Sequence, residues 1–226
     1  MSRSSHRSPG IVLVAAGACF ALIGCSSFTT YKTATPLRKG KTMTVVAPQV
    51  NAAGPKETGK APFPEVAVSV RHGLTDKLEV GGTLSGLPLG QAMSALGFEA
   101  QGKRHMWRSS SGRVDVALAG GVGYQVFATS GATFEMIHAN LPVIVGINLG
   151  RHQLVLAPNL SWQRWYSTGA RPVDVGAYGS SLGFRWQVSR RFAILPEFSW
   201  ARSPTALTKY DNTILLHAGI GLVFGR

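Results

Sequence analysis

Four polar side chains invite a hydrolase reading: His138, Ser181, Glu197 and His217. A histidine base, a serine nucleophile and an orienting carboxylate can together cleave an acyl bond. Here they fall on four different stretches, and no diagnostic motif joins them. As polar residues on the inner face of a sheet they need no catalytic explanation, so no catalytic residue is assigned and no enzyme is expected. Metal chemistry is no better supported. His72, His105, His138, His152 and His217 show no ligand spacing. Gly120-Gly121-Val122-Gly123 is not a phosphate loop, because no Lys-Ser/Thr pair follows and no helix starts there. Glycine in a strand relieves crowding or allows curvature. Neither metal nor cofactor is expected.

One residue does carry a specific chemistry. Arg3 and Arg7 precede an uncharged apolar run over residues 11–24. The run is shorter than the roughly 20 residues of a spanning helix, and a basic start before a short apolar run marks a secretory signal peptide. It ends Leu22-Ile23-Gly24-Cys25. This tetrad resembles the bacterial lipobox. The resemblance implies that Cys25 receives diacylglyceryl, that residues 1–24 are removed, and that Cys25 becomes the acylated N-terminus. Cys19 falls in the removed part. Three acyl chains would anchor the protein firmly, since two suffice. Residues 25–40 read as the lipidated N-terminus and a polar linker, with a basic cluster at Arg38, Lys39 and Lys41. Its composition gives no reason to expect structure.

What positions everything else is a run of strands over residues 41–226. The clearest spans 132–149, with Ile137, Ala139, Leu141, Val143, Val145, Ile147 and Leu149 on one face. His138, Asn140, Pro142, Gly146 and Asn148 lie on the other, with Ile144 as the exception. Successive side chains of a strand point to opposite faces, so this pattern is oil on one side and polar or small on the other. Segments 153–166, 173–188, 192–200 and 214–224 repeat it. Earlier strands are noisier, at 42–47, 66–72, 77–85, 91–101 and 114–127, giving about ten in all. Residues 48–64, 167–172 and 202–213 read as longer connections.

Composition bounds the class. Of 226 residues 45% are apolar and only 15% charged, against roughly 25% charged in an average soluble domain. The polar faces hold Gly, Ser, Asn and Gln, with isolated Arg71, Glu79, Asp115, Arg185 and Glu197. Small residues and mixed charges suit a narrow lumen. Trp162, Tyr166 and Trp200 fall at one end of antiparallel strands, and Phe184, Trp186, Phe192 and Phe224 at the other. Aromatic rings at both edges of an apolar band fit two water–lipid interfaces.

On these residues the body resembles bacterial outer-membrane β-barrels. The last strand is similar to their assembly signal, with Leu216, Ala218, Ile220, Leu222 and Phe224, although Gly225 and Arg226 follow. The resemblance implies an all-β, antiparallel up-and-down transmembrane barrel of about ten strands (8–10). It implies a place in the outer membrane of a two-membrane bacterium, with both chain ends on the periplasmic side. Expected partners are membrane lipids and the outer-membrane assembly and lipoprotein-processing machinery. The net charge of +13 does not point to nucleic acid, because Lys and Arg are scattered without a basic helix or recognised module. The densest basic stretch, Lys103–Arg113, reads as a periplasmic loop able to touch lipid or peptidoglycan. The function expected is a structural, adhesive or binding one. The rivals are a lipid-tethered soluble barrel carrying an apolar ligand, and a barrel hydrolase.

Overall fold

The computed structural model of the chain describes residues 31–55, 61–89, 93–129, 133–167, 169, 171–203 and 213–225. Ten strands follow one another: β1 (Thr42–Pro55), β2 (Ala61–Gly73), β3 (Leu78–Leu89), β4 (Met93–Arg108) and β5 (Val114–Thr129), then β6 (Thr133–Leu149), β7 (His152–Ser167), β8 (Val173–Gln187), β9 (Phe192–Arg202) and β10 (Thr213–Phe224). Each pairs antiparallel with its sequence neighbours, and β1 closes on β10. Closure leaves no sheet edge. That is a condition for backbone in lipid, where no water can satisfy an unpaired N–H or C=O.

Sequence parity sets which side chains face in. In β6 exposed and buried residues alternate along most of the strand, with Ile137, Leu141 and Ile147 outside and Met136, His138 and Asn140 inside. The burial is inverted relative to a soluble barrel. Leu160 is 63% exposed and Leu96 62%, whereas Asp115 and Asn51 are fully buried. An apolar band this complete needs lipid rather than water around it. Aromatic side chains rim the band. Trp162 and Trp200 stand exposed towards one end, and Phe184, Trp186 and Phe224 towards the other, where the Phe192 and Phe224 rings lie 5.3 Å apart. Arg164, a charge on the outer face, meets Asp174 at 3.8 Å.

The two ends of the barrel differ. One, the turn end, carries the connections 74–77, 109–113, 150–151 and 188–191 together with the start of β1 and the finish of β10. At the other, the loop end, β1, β3, β5, β7 and β9 finish and β2, β4, β6, β8 and β10 begin.

The sequence expectation of ten strands holds, with two corrections. Residues 48–64 are mostly strand rather than a long connection. Pro48 sits opposite Val66, Val50 opposite Pro64, and Ala52 opposite Pro62. Prolines punctuate loops in soluble chains. Here all three rings face outwards, and the ladder continues through the residues between them. The second correction is Lys103–Arg113. Most of it is the end of β4, which carries a bulge between His105 and Trp107, and only 109–113 is turn.

The inverted burial has a direct test. Replacing central, outward Leu160 with Arg should destabilise the barrel by about 2–4 kcal/mol in urea titrations from phosphatidylcholine vesicles. Replacing inward Ser161 with Ala should cost less than about 1.5 kcal/mol. A neutral Leu160→Arg would mean that the outer face is not in lipid.

Candidate functional site

Ten inward rows of side chains leave a narrow lumen, and its polar groups are buried. A buried charge is costly unless paired and hydrogen-bonded. The strands alone do not supply all the partners. The remainder come from residues 31–37, whose composition predicts an unstructured linker. Tyr31, Lys32, Thr33 and Ala34 are all buried inside the barrel, with Tyr31 reaching the mid-strand residues Glu197 and His217.

The segment is held by its backbone. Glu197 accepts the Tyr31 N–H at 2.8 Å, and Arg71 donates to the Tyr31 carbonyl at 2.8 Å. Lys103 donates to the carbonyls of Thr33 at 2.6 Å and Thr35 at 3.2 Å, and to the Glu79 carboxylate at 2.8 Å. All three ammonium hydrogens therefore have acceptors. Glu79 also takes the Leu37 N–H at 3.0 Å, and Gln153 accepts the Ala34 N–H at 3.1 Å. Irregular backbone is stable at this depth only where such partners satisfy it. Lys32 lies outside the strands. Burial pushes its ammonium down to about 8, and the negative charge of Glu99 opposes that fall.

Side chains complete the fit. The Tyr31 hydroxyl meets His217 Nε2 at 3.1 Å, and its ring packs among Met43, Val45, Leu195 and Val223. Ala34 packs against Ala117, Ala119, Ile144, Val155 and Ala157. The apolar exception in the sixth strand, Ile144, thus belongs to the same buried cluster as the segment's Ala34. Gly219 leaves room for the Tyr31 hydroxyl, which a Cβ there would overlap. At Gly146 a Cβ would come within 2.9 Å of Ala34 Cβ.

Nearer the mouth, Asp115 gathers donors. It accepts from Arg108 Nε at 2.6 Å, Asn148 Nδ2 at 2.8 Å and Thr35 Oγ1 at 3.0 Å, and it faces His105 Nε2 at 3.0 Å. The basic stretch read as a lipid-contact loop is therefore partly committed inwards. Lys103 is buried in the lumen, while His105 and Arg108 are drawn onto Asp115. Deeper in the lumen, Glu99 holds His138 at 3.2 Å and Asn140 at 2.9 Å. Glu65 accepts from Gln49 at 2.8 Å and Asn51 at 2.7 Å. Towards the loop end the lumen turns apolar, with Phe63, Phe127, Phe134, Met136 and Trp165 in one cluster and the Phe127 and Trp165 rings stacked at 5.8 Å.

The four residues considered for catalysis all face inwards. Ser181 and His217 share one register row through Ser199, and His217 Nε2 lies within hydrogen-bond distance of Tyr31 and Gln49. Glu197 accepts the Tyr31 N–H, and His138 sits on Glu99. Among the described residues no cluster of three or more His, Cys, Asp or Glu side chains is placed to hold a metal ion. Cys25, the rest of the lipobox, Cys19 and the signal segment 1–24 lie outside the described residues.

No family model matches the sequence, and no curated protein does. Solved structures do. The chain is similar to an outer membrane channel from Pseudomonas putida F1, with TM-score 0.53 and 11% identity over 85% of this chain and 97% of that one. It is also similar to the outer membrane protease OmpT from Escherichia coli (TM-score 0.47, 8% identity, 87% and 100% covered). Neisserial surface protein A is a third (0.41, 10%, 81% and 96%). The chain has the fold of an outer-membrane β-barrel. At these identities the likeness is one of fold alone.

The paired charges carry a prediction. Lys103→Met leaves Glu79 buried without the ammonium bonded to it and should cost about 3–5 kcal/mol in urea unfolding. Adding Glu79→Gln should restore at least half of that loss. A single variant within 1 kcal/mol of the parent, with the same denaturant slope, would show that the pair is not buried as described.

Proposed function

We propose that this protein is a lipid-anchored outer-membrane barrel that serves as a structural, adhesive or binding platform and does not conduct. The observation that carries the reading is the occupied lumen. Residues 31–37 cross it at the turn end, their backbone bonded to Arg71, Glu79, Lys103, Gln153 and Glu197. An apolar cluster lines it towards the loop end. A pore needs a continuous wet path, and here polar groups meet one another instead. Acylation of Cys25 follows from its lipobox context. The soluble, ligand-carrying alternative is disfavoured by the exposed apolar belt and the filled, polar interior. A hydrolase is disfavoured because Nε2 of both His138 and His217 is taken up by lumen partners.

Two measurements test this. A Cys25→Ser variant carrying an ordinary cleavable signal should resist carbonate extraction from outer membranes and change gel mobility on heating. A soluble periplasmic product would overturn the membrane reading. In planar bilayers the intact protein should give no steady conductance step. A stable ohmic pore would overturn the platform reading.

A further inference from the structure

We propose that the turn-end mouth of the barrel is a binding cleft for a phosphate-class anion carrying two or more negative charges. A cavity of about 1120 Å³ opens there, between the N-terminal segment, the finish of β8 and the turn that follows it. Five cationic side chains line it: Arg38, Lys41, Arg185, Arg190 and Arg191. No carboxylate is among its lining residues. This contrasts with the lumen just above, where Lys103 is matched by Glu79, and Arg108 by Asp115. Four of the five, Arg38, Lys41, Arg190 and Arg191, are exposed around this space. Like charges brought together repel, and a multivalent anion entering the space relieves that repulsion.

The residue types narrow the ligand class. Four of the five are arginines, whose planar fork matches phosphate and carboxylate oxygens two at a time. The volume exceeds what inorganic phosphate alone would fill and suits a phosphorylated small molecule or a phospholipid headgroup. Those two sources present the same chemistry. The cleft belongs to the lumen mouth rather than to the lipid-facing wall: Arg185 shares the inward parity of Ser181 and Gly183 on β8.

The cleft has two halves with different owners. Arg38 and Lys41 belong to the chain as it leaves the lumen, where Gly40, at φ +76°, turns it into β1. Arg190 and Arg191 belong to the turn between β8 and β9, and Arg185 to the wall. An anion bonded to both halves would tie the exit of the internal segment to the barrel. Occupancy and retention of the segment would then be linked, each favouring the other. The inference rests on the barrel and cleft geometry and not on acylation of Cys25.

The test uses the full chain folded in a nonionic detergent. Inorganic pyrophosphate is titrated calorimetrically into the parent protein and into an Arg190→Gln/Arg191→Gln variant, both first checked for heat-modifiable mobility. These two residues are exposed on a turn, so folding should survive. Pyrophosphate should bind the parent and bind the variant about tenfold or more weakly. It should also slow tryptic cleavage after Arg38, Lys39 and Lys41 in the parent, and not in the variant. In a parallel arm, native mass spectrometry compares lipid retained from phosphatidylglycerol and phosphatidylcholine nanodiscs. Selective retention of phosphatidylglycerol, lost in the variant, with no pyrophosphate uptake, identifies a headgroup as the source. Pyrophosphate uptake with no lipid preference identifies a soluble anion. Neither uptake nor selective retention, or equal binding by parent and variant, overturns the proposal.

Discussion

The charges inside this barrel are the constraint on which the rest depends. Arg71, Glu79, Lys103, Asp115 and Glu197 are each buried on the inward face. In a wide pore such groups would be hydrated. In a ten-stranded barrel they are pressed together, and an unpaired one would cost several kcal/mol. The strands supply part of the pairing, as in Lys103 with Glu79. The N-terminal segment supplies much of the rest, chiefly through main-chain groups, and in return has its own N–H and C=O groups satisfied. Segment and wall each make the other's burial tolerable.

This reciprocity shapes the functional picture. A plug held only by apolar contact could slide out at modest cost. One held by charge-assisted hydrogen bonds from β2, β3, β4 and β9 must leave several buried ions without partners if it moves. The lumen is better understood as a packed interior than as a conduit. On the proposed reading, recognition falls to the rims and to the mouth, where cations gather. The outer belt, meanwhile, is set by the opposite alternation, with Leu160, Leu141 and Leu182 exposed at central positions.

The barrel was legible in the sequence because its signal is local. Alternation along 132–149, 153–166 and 214–224 declares both strand and face, and aromatic positions declare the edges. The prolines and glycine around 48–64 hid the length of β1 and β2, since the rule that makes them loop signals assumes soluble strands. The internal segment was not legible, because its composition is that of any polar linker. Tyr31 and Ala34 gain their role only from distant partners such as His217 and Ile144. One trace was present. Ile144 broke the polar face, and Val45, Val155 and Leu195 break it likewise. Apolar residues facing into a lumen need something to pack against, and reading them together would have pointed to an occupant. The pairing of Lys103 with Glu79 was equally hidden, since it depends on strand register rather than on sequence spacing.

The occupied lumen is the central claim, and thiol accessibility at Ala34 tests it most directly. In a background with Cys19 and Cys25 changed to Ser, Ala34→Cys is treated in isolated outer membranes with a membrane-impermeant maleimide, beside Ser110→Cys on an exposed turn as control. Ala34 is fully buried among inward residues of β5, β6 and β7. The account predicts that Cys at 34 stays unlabelled while the control reacts, and that it reacts fully once the barrel is unfolded. Labelling at the control's rate, in protein that still shows heat-modifiable mobility, would contradict it: the segment would lie outside an open lumen.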